Sequence, residues 1–432
     1  MPERLQLTDE DVAILRLESP TVAGHTCKVV VIGEGEVEFA EFFASFSERI
    51  EVVPELRRRL VEEDGQFFWV EDESFALEEH LFEAAGGKAL SADQLDSFTT
   101  EAFSQRLDRE RPLWKLDYAR LEEGGRALVW RIHHALADGS TAMRFAKELL
   151  WDPPLTQDGG RSAAVRSVPA APAEVEKREK HRRMNLAGLF ERELSRSHGP
   201  SPFDGRIGHR RAIAFSTVSL SSLHDSAKKL ADATLNDAVL SVIAAGFRHW
   251  MELEHTDVIG DLRARVPVSL HRDGESLGNR DSFFSVPLHL DEPDPVERLK
   301  LIRAETWERK VDHDAEDLDE LTRALGRVSG RLQHLIENAE ANPRAFAVSI
   351  SNVKGPRKPV MVLGAPVQTV YSIAEIGEHH ALRIAVISAG DRLGFSFCTD
   401  PDLVKDVSEM AEGVELEAAR LEELARPARA PG

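Results

Sequence analysis

Residues 126–150 read RALVWRIHHALADGSTAMRFAKELL, and the change of pattern at their centre decides the fold. Leu128, Trp130 and Ile132 recur every second residue, the period of a strand with one buried face. From Gly139 the apolar positions become Ala142, Met143, Phe145, Ala146, Leu149 and Leu150, which is helical spacing, and Pro153 and Pro154 stop the helix. Between them lies His133-His134-Ala135-Leu136-Ala137-Asp138-Gly139. A strand end fixes a side chain while the turn beyond it exposes that side chain, an arrangement suited to catalysis. Gly139 permits a tight turn that a Cβ would obstruct.

The same alternation of strand and helix extends outward. Lys28 to Ile32 is a β-branched run closed by Gly33, and Phe39, Phe42, Phe43, Phe46 and Ile50 then form the apolar face of a helix. Further on, Ala212 to Leu220, Arg263 to Leu270, Ala345 to Asn352 and Leu382 to Ser388 read as strands. Asn236 to Met251 reads as a helix with Thr234 and Asp237 at capping-box spacing. After Asp400-Pro401, a last helix carries Leu403, Val407, Met410, Val414, Leu421 and Leu424. The pattern predicts an N-terminal α/β domain over 1–152, a partly mobile crossover linker over 153–209, and a C-terminal α/β domain over 210–432. The linker is rich in Ala, Pro, Gly, Ser and Arg; it includes the basic run EKREKHRR (176–183) and a short helix near Asn185 to Leu194.

Composition excludes several classes. With 75 acidic and 54 basic side chains in 432 residues, the formal net charge is -21, which repels phosphate and argues against nucleic acid as a partner. Cys27 and Cys398 are too few for a disulfide framework and form no CxxC pair. The start, MPERLQLTDEDVAIL, lacks the features of a signal peptide, and the most apolar stretch, Ala238 to Phe247, is far shorter than a bilayer span. A cytoplasmic protein is expected, touching lipid only peripherally.

The histidine motif has more than one reading. An imidazole near pKa 6.5 accepts and returns a proton at neutral pH, as a general base must. A metal site would want a third ligand at familiar spacing, and HHxxxD after a strand matches no common zinc pattern. A serine triad would want a GxSxG elbow, which the chain lacks. In a purely structural reading, Asp138 caps the following helix and the histidines are strand-end residues. His379-His380, without an Asp-Gly context, reads as a polar loop.

HHxxxDG resembles the signature of the CoA-dependent acyltransferase superfamily, which includes chloramphenicol acetyltransferase and peptide-synthetase condensation domains. Pro112-Leu113-Trp114, Asn236-Asp237, RARVPVSL (263–270) before Gly278-Asn279, and Ser351-Asn352 before Gly355-Pro356 follow in order. With Leu7-Thr8 through Glu18-Ser19-Pro20, and Trp69 to Asp72, they look like the bacterial wax ester synthase/acyl-CoA:diacylglycerol acyltransferase family over nearly the whole chain. Two departures bear on acceptor preference: Lys354 replaces a usual proline, and Ser388-Ala389 a usual Ser-Tyr pair.

The resemblance implies two chloramphenicol-acetyltransferase-like α/β domains, mixed sheets flanked by helices, with an active-site channel at their interface. It implies direct acyl transfer from acyl-CoA, as co-substrate, to a fatty alcohol or diacylglycerol, with no permanently bound cofactor or metal. His134 would be the general base, His133 a shaper of the turn, and Asn236 a donor to the thioester carbonyl. Asp138 would hold the loop through an ion pair to Arg263 or Arg265, with Gly139 supporting the turn. Pro112, Leu113, Trp114, Ser351 and Asn352 are candidates for the substrate channel. Partners would be acyl-CoA, the hydrophobic acceptor, and a membrane or lipid-droplet surface. The rivals are a same-superfamily acyltransferase for a polar or polyketide-like hydroxyl, and a non-catalytic lipid-binding relative.

Overall fold

The computed structural model describes residues 4–35, 37–153, 201–254, 257–260, 262–269, 281–311, 346–356 and 358–426. The chain opens with β1 (Arg4–Gln6), α1 (Asp9–Leu17), β2 (His25–Ile32), α2 (Phe39–Arg49), β3 (Arg58–Glu63) and β4 (Gln66–Glu71). Next come β5 (Leu81–Glu83), β6 (Ala89–Leu90), α3 (Ala92–Ser104), β7 (Trp114–Leu121), β8 (Arg126–His133) and α4 (Gly139–Leu149). The second half contributes β9 (Ala212–Ser219), α5 (Leu220–Ala231), α6 (Leu235–Leu253), β10 (Arg263–Ser269), β11 (Asp281–Pro287) and α7 (Pro295–Val311). It ends with β12 (Val348–Val353), β13 (Met361–Val362), β14 (Ala365–Ile373), β15 (Leu382–Ala389), β16 (Arg392–Thr399) and α8 (Ser408–Ala425).

Two mixed sheets form the frame. One runs β13-β14-β2-β8-β7-β5, with β6 also on β7; the other runs β11-β10-β12-β15-β16-β9. A small sheet, β1-β4-β3, stands apart. Its β3–β4 hairpin turns at Asp64-Gly65, both at positive φ, the pair that matches the twist of a tight hairpin.

The sequence grouping placed 210–432 in one unit, but β13 and β14 leave it and extend the N-terminal sheet. β14 pairs antiparallel with β2, aligning Ser372 with Lys28 and Val370 with Val30. Without it, β2 would present a bare apolar edge. β16 then lies against β14 at its one side-chain-free position: a Cβ on Gly394 would stand 2.3 Å from the Val370 carbonyl oxygen.

Period-two alternation divides the first sheet's faces. Cys27, Val29, Ala127 and Val129 join the core built largely from α5, α6, β15 and β16. Val30, Ile32, Leu128, Trp130 and Ile132 face the other way, onto Phe42 and Phe46 of α2 and Phe145 of α4. The last helix begins later than expected. Its buried side carries Met410, Val414 and Leu421, while Leu403 precedes the helix and Leu424 faces solvent.

Within the segment read as a linker, 154–200 lie outside the described residues, including the basic run and the short helix. The part from 201 is packed: Phe203 is fully buried, 5.2 Å from Phe247 and 5.9 Å from Trp250 between ring centroids. Among the described residues no single helix is long and apolar enough to cross a membrane. α5 and α6 meet the criterion only together, bent by 96°.

Gly394→Ala should lower the unfolding free energy by about 1–3 kcal/mol, because the overpacked β14–β16 contact must open. Urea denaturation followed by tryptophan fluorescence would measure the loss.

Candidate active site

β8 ends at His133, whose amide donates to the Leu113 carbonyl at 2.9 Å. The turn closes on the His133 carbonyl, which accepts from Leu136 at 2.9 Å and Ala137 at 3.1 Å. Asp138 then caps α4, its Oδ1 accepting from the Thr141 amide at 2.6 Å and from Ser140 Oγ at 3.0 Å. Burial alone would raise the Asp138 pKa. The Thr141 and Ser140 bonds and the nearby His134 outweigh it and hold the group below the usual carboxylate range.

The two histidines straddle the strand end: His133 closes β8 and His134 opens the turn. His133 is locked: its Nδ1 accepts from the Ala135 amide at 3.1 Å, so the ring proton is assigned to Nε2, which donates to Glu18 Oε1 at 2.7 Å. Arg109 at 2.7 Å and Arg106 at 3.3 Å also hold Glu18. Burial would raise the Glu18 pKa, but the bonds and charges from His133 and Arg109 lower it. Gly24 lies against this pair at φ +71°; a Cβ there would come 2.7 Å from Glu18 Cγ and 2.8 Å from His133 Nε2. A proton acceptor at His133 is thus ruled out by its own bonds.

His134 is different. Its main-chain amide donates to the Gly24 carbonyl at 3.0 Å, while its Nδ1 is buried with no hydrogen-bond partner among the described residues. The residue as a whole is half-buried. Burial, then the positive charges of Arg383 and Lys28, push the imidazole down to about 4, against an opposing pull from its own carbonyl and Asp138. The ring is therefore neutral at physiological pH.

Neither cation was singled out from the sequence. Lys28 is 7% exposed, on the same face of β2 as Val30, and its Nζ donates to Ser372 Oγ of β14. Burial lowers its pKa to about 8, so it is largely charged at pH 7. Arg383 lies on β15, partly buried, on the same face as Ile387, beside Ser349 and in line with Ser351 of β12. Its Nη1 donates to the Glu375 carbonyl at 3.0 Å. The signal was present: each is a lone charge inside an apolar strand, CKVVVI and LRIAVI.

The second half supplies Asn236 at the start of α6. Thr234 and Asp237 close the capping box there, and Thr306 Oγ1 donates to Asp237 at 2.6 Å. Asn352 Nδ2 reaches Asn236 Oδ1 at 3.5 Å. Val353, the next residue on β12, lies within about 4 Å of where a Gly139 Cβ would be. The ends of β8, β12 and α6 thus converge on one place.

Three expectations are corrected. Trp114 is fully buried, donating from Nε1 to the Leu56 carbonyl at 2.7 Å and stacking on His80, so it is core rather than channel. Leu113 and Pro112 are also buried, and Leu113 supports the motif through its carbonyl. Asp138 bonds to Thr141 and Ser140, not to Arg263 or Arg265: capping already satisfies its oxygens. Arg263 bonds the Ser285 carbonyl at 3.2 Å, and Arg265 lies over the Phe346 ring. His380, in a turn, stacks on Phe346. One trio suited to a metal, His249, Glu409 and Glu412, sits where α6 and α8 meet, on a later stretch of α6 than Asn236.

A histidine held below its ordinary value stabilises the fold fully above about pH 6.5, and that contribution is lost as pH falls through about 4. NMR titration of the His134 ring should give a midpoint near 4, and Arg383→Gln should move it upward.

Comparison with known proteins agrees with this arrangement. The wax ester synthase/diacylglycerol acyltransferase catalytic domain matches residues 7–187, and the C-terminal domain of the same family matches 277–422. The O-acyltransferase WSD of Acinetobacter baylyi is 27% identical over 76% of this chain and 77% of its own length. A putative diacylglycerol O-acyltransferase of Mycobacterium tuberculosis H37Rv is 29% identical over 95% and 94%. The fold is shared with the wax ester synthase/diacylglycerol acyltransferase of Marinobacter aquaeolei VT8: TM-score 0.73, 24% identity, 98% of this chain and 99% of that one. It is shared more distantly with the starter condensation domain of rhizomide synthetase, solved with C8-CoA: TM-score 0.56, 14% identity, 99% and 96% covered. The two-domain frame of mixed sheets flanked by helices is the one expected from the motif. This chain belongs to the wax ester synthase/diacylglycerol acyltransferase family.

Proposed function

We propose that the protein transfers a long-chain acyl group from acyl-CoA to the hydroxyl of a fatty alcohol or diacylglycerol, giving wax ester or triacylglycerol. The observation that carries this reading is the contrast between the histidines: His133 is bonded at both ring nitrogens, whereas His134 is neutral and half-buried, with no hydrogen-bond partner at Nδ1 among the described residues.

The step is direct. His134 Nε2 accepts the hydroxyl proton as that oxygen attacks the thioester carbonyl carbon. The C–S bond then breaks, and the thiolate takes the proton from the imidazolium and leaves as free CoA. Asn236 Oδ1 faces Asn352, so its Nδ2 is free to donate to the carbonyl oxygen as negative charge gathers there. Thiolate is a good leaving group, so an acyl-enzyme is unnecessary. Peripheral contact with a membrane or lipid inclusion would deliver the acceptor.

CoA release from palmitoyl-CoA, with and without hexadecanol or diolein, tests the reading. Acceptor-dependent release should fall by about 10²–10⁴ in a folded His134→Ala variant. Asn236→Ala should cost about 10²–10³ in kcat. Release that ignores every acceptor, or survives His134→Ala, would overturn the proposal.

A further inference from the structure

The loop between α1 and β2 ends at Gly24, whose carbonyl accepts the His134 amide at 3.0 Å. Two side chains of the second half hold that loop. Arg211, just before β9, donates from Nη2 to the Thr21 carbonyl; Glu375, between β14 and β15, accepts the Ala23 amide on Oε2 at 3.2 Å. Both side chains are buried, and Arg211 Nε donates to Glu375 Oε1 at 2.6 Å. Each is also anchored within its own half. Arg211 Nη1 donates to the Gly208 and Arg210 carbonyls at 2.9 and 2.8 Å, and Glu375 Oε1 accepts the Ile376 amide at 3.0 Å. Thr21 offers an acceptor and Ala23 a donor, with one residue between them, so the hold needs a donor and an acceptor side by side. A guanidinium–carboxylate pair supplies both, whereas two apolar side chains would fill the space and hold neither.

We propose that Arg211 and Glu375 are positioning residues for acyl transfer: from the second half they fix residues 21–24, and with them the carbonyl that seats His134 in the first. The inference rests on the acyl-transfer reading and adds the device that places its base. The bonds of the pair run to main chain and to each other, not to the histidine, so the pair acts through the loop. A misplacement of about 1 Å at a reacting group costs on the order of 10²-fold in rate, which gives such a pair control over turnover.

The decisive variant removes the hold without stranding a charge. In Arg211→Met with Glu375→Leu, apolar side chains replace both members, an exchange that buried pairs tolerate. Full-length protein is assayed for CoA release from palmitoyl-CoA with hexadecanol and with diolein, and for amide hydrogen exchange. Acceptor-dependent kcat should fall about tenfold or more, while KM for palmitoyl-CoA changes by less than about threefold. Protection of the His134 amide should fall about tenfold or more, with the amides of β7 and β8 still protected. Where the double variant does not fold, Arg211→Lys takes its place: it keeps the ion pair but offers a single ammonium instead of the fork, and should lower kcat and His134 protection together. A smaller loss of kcat in the double variant, unchanged kcat in Arg211→Lys, unchanged His134 exchange in either, or protection lost equally across β7 and β8 overturns the inference. If wild-type protein gives acceptor-dependent release and the variant keeps it, only the inference fails. If wild type gives none, acyl transfer itself fails, and His134 exchange alone then decides whether the pair places the residue.

Discussion

The carbonyl of Gly24 accepts the amide of His134, and the placement of that residue depends on the bond. The loop that supplies it is fixed from three sides. Glu18 holds His133, the Ala23 amide reaches Glu375, and the Thr21 carbonyl takes a hydrogen bond from Arg211. Arg211 and Glu375 form a buried ion pair whose partners lie before β9 and between β14 and β15. Breaking such a pair by removing one member costs about 3–5 kcal/mol, because the survivor keeps its burial and loses its counter-charge. The link therefore does more than join the halves: it sets the position of the loop against which β8 ends.

Neighbouring histidines differ because the strand ends between them. His133 bonds to Glu18 and becomes part of the scaffold, while burial and the positive charges of Arg383 and Lys28 keep His134 neutral. A neutral imidazole is available to accept a proton over a wide pH range, but a depressed value also makes it a weaker base.

Much of this was legible in residues 126–150, because strand period, turn and helix period follow one another without ambiguity there. The capping box at Thr234 and Asp237 was equally local. What sequence could not bring together were partners distant along the chain. Lys28 and Ser372 are 344 residues apart, and nothing in APVQTVYSI announces that it completes a sheet begun by HTCKVVVI. Trp114 was open to a channel reading because burial is a property of surroundings, which a tripeptide does not encode. Asp138 was expected to seek an arginine, yet a cap supplied by its own helix satisfies it locally. The hairpin at Asp64-Gly65 and the charges inside CKVVVI and LRIAVI carried their signals openly, although none of them entered the sequence reading.

The insertion of β14 beside β2 has a consequence for how the molecule is made. A ribosome releases β2, β7 and β8 hundreds of residues before the strand that covers the β2 edge. Until then that edge offers unpaired amides and carbonyls along a valine-rich strand, the kind of template on which nascent chains associate. The N-terminal half, with its complete histidine motif, is therefore an unfinished sheet rather than a separate enzyme. The sheet that carries the histidine motif becomes native only near the end of synthesis, when a non-local pairing of high contact order completes it.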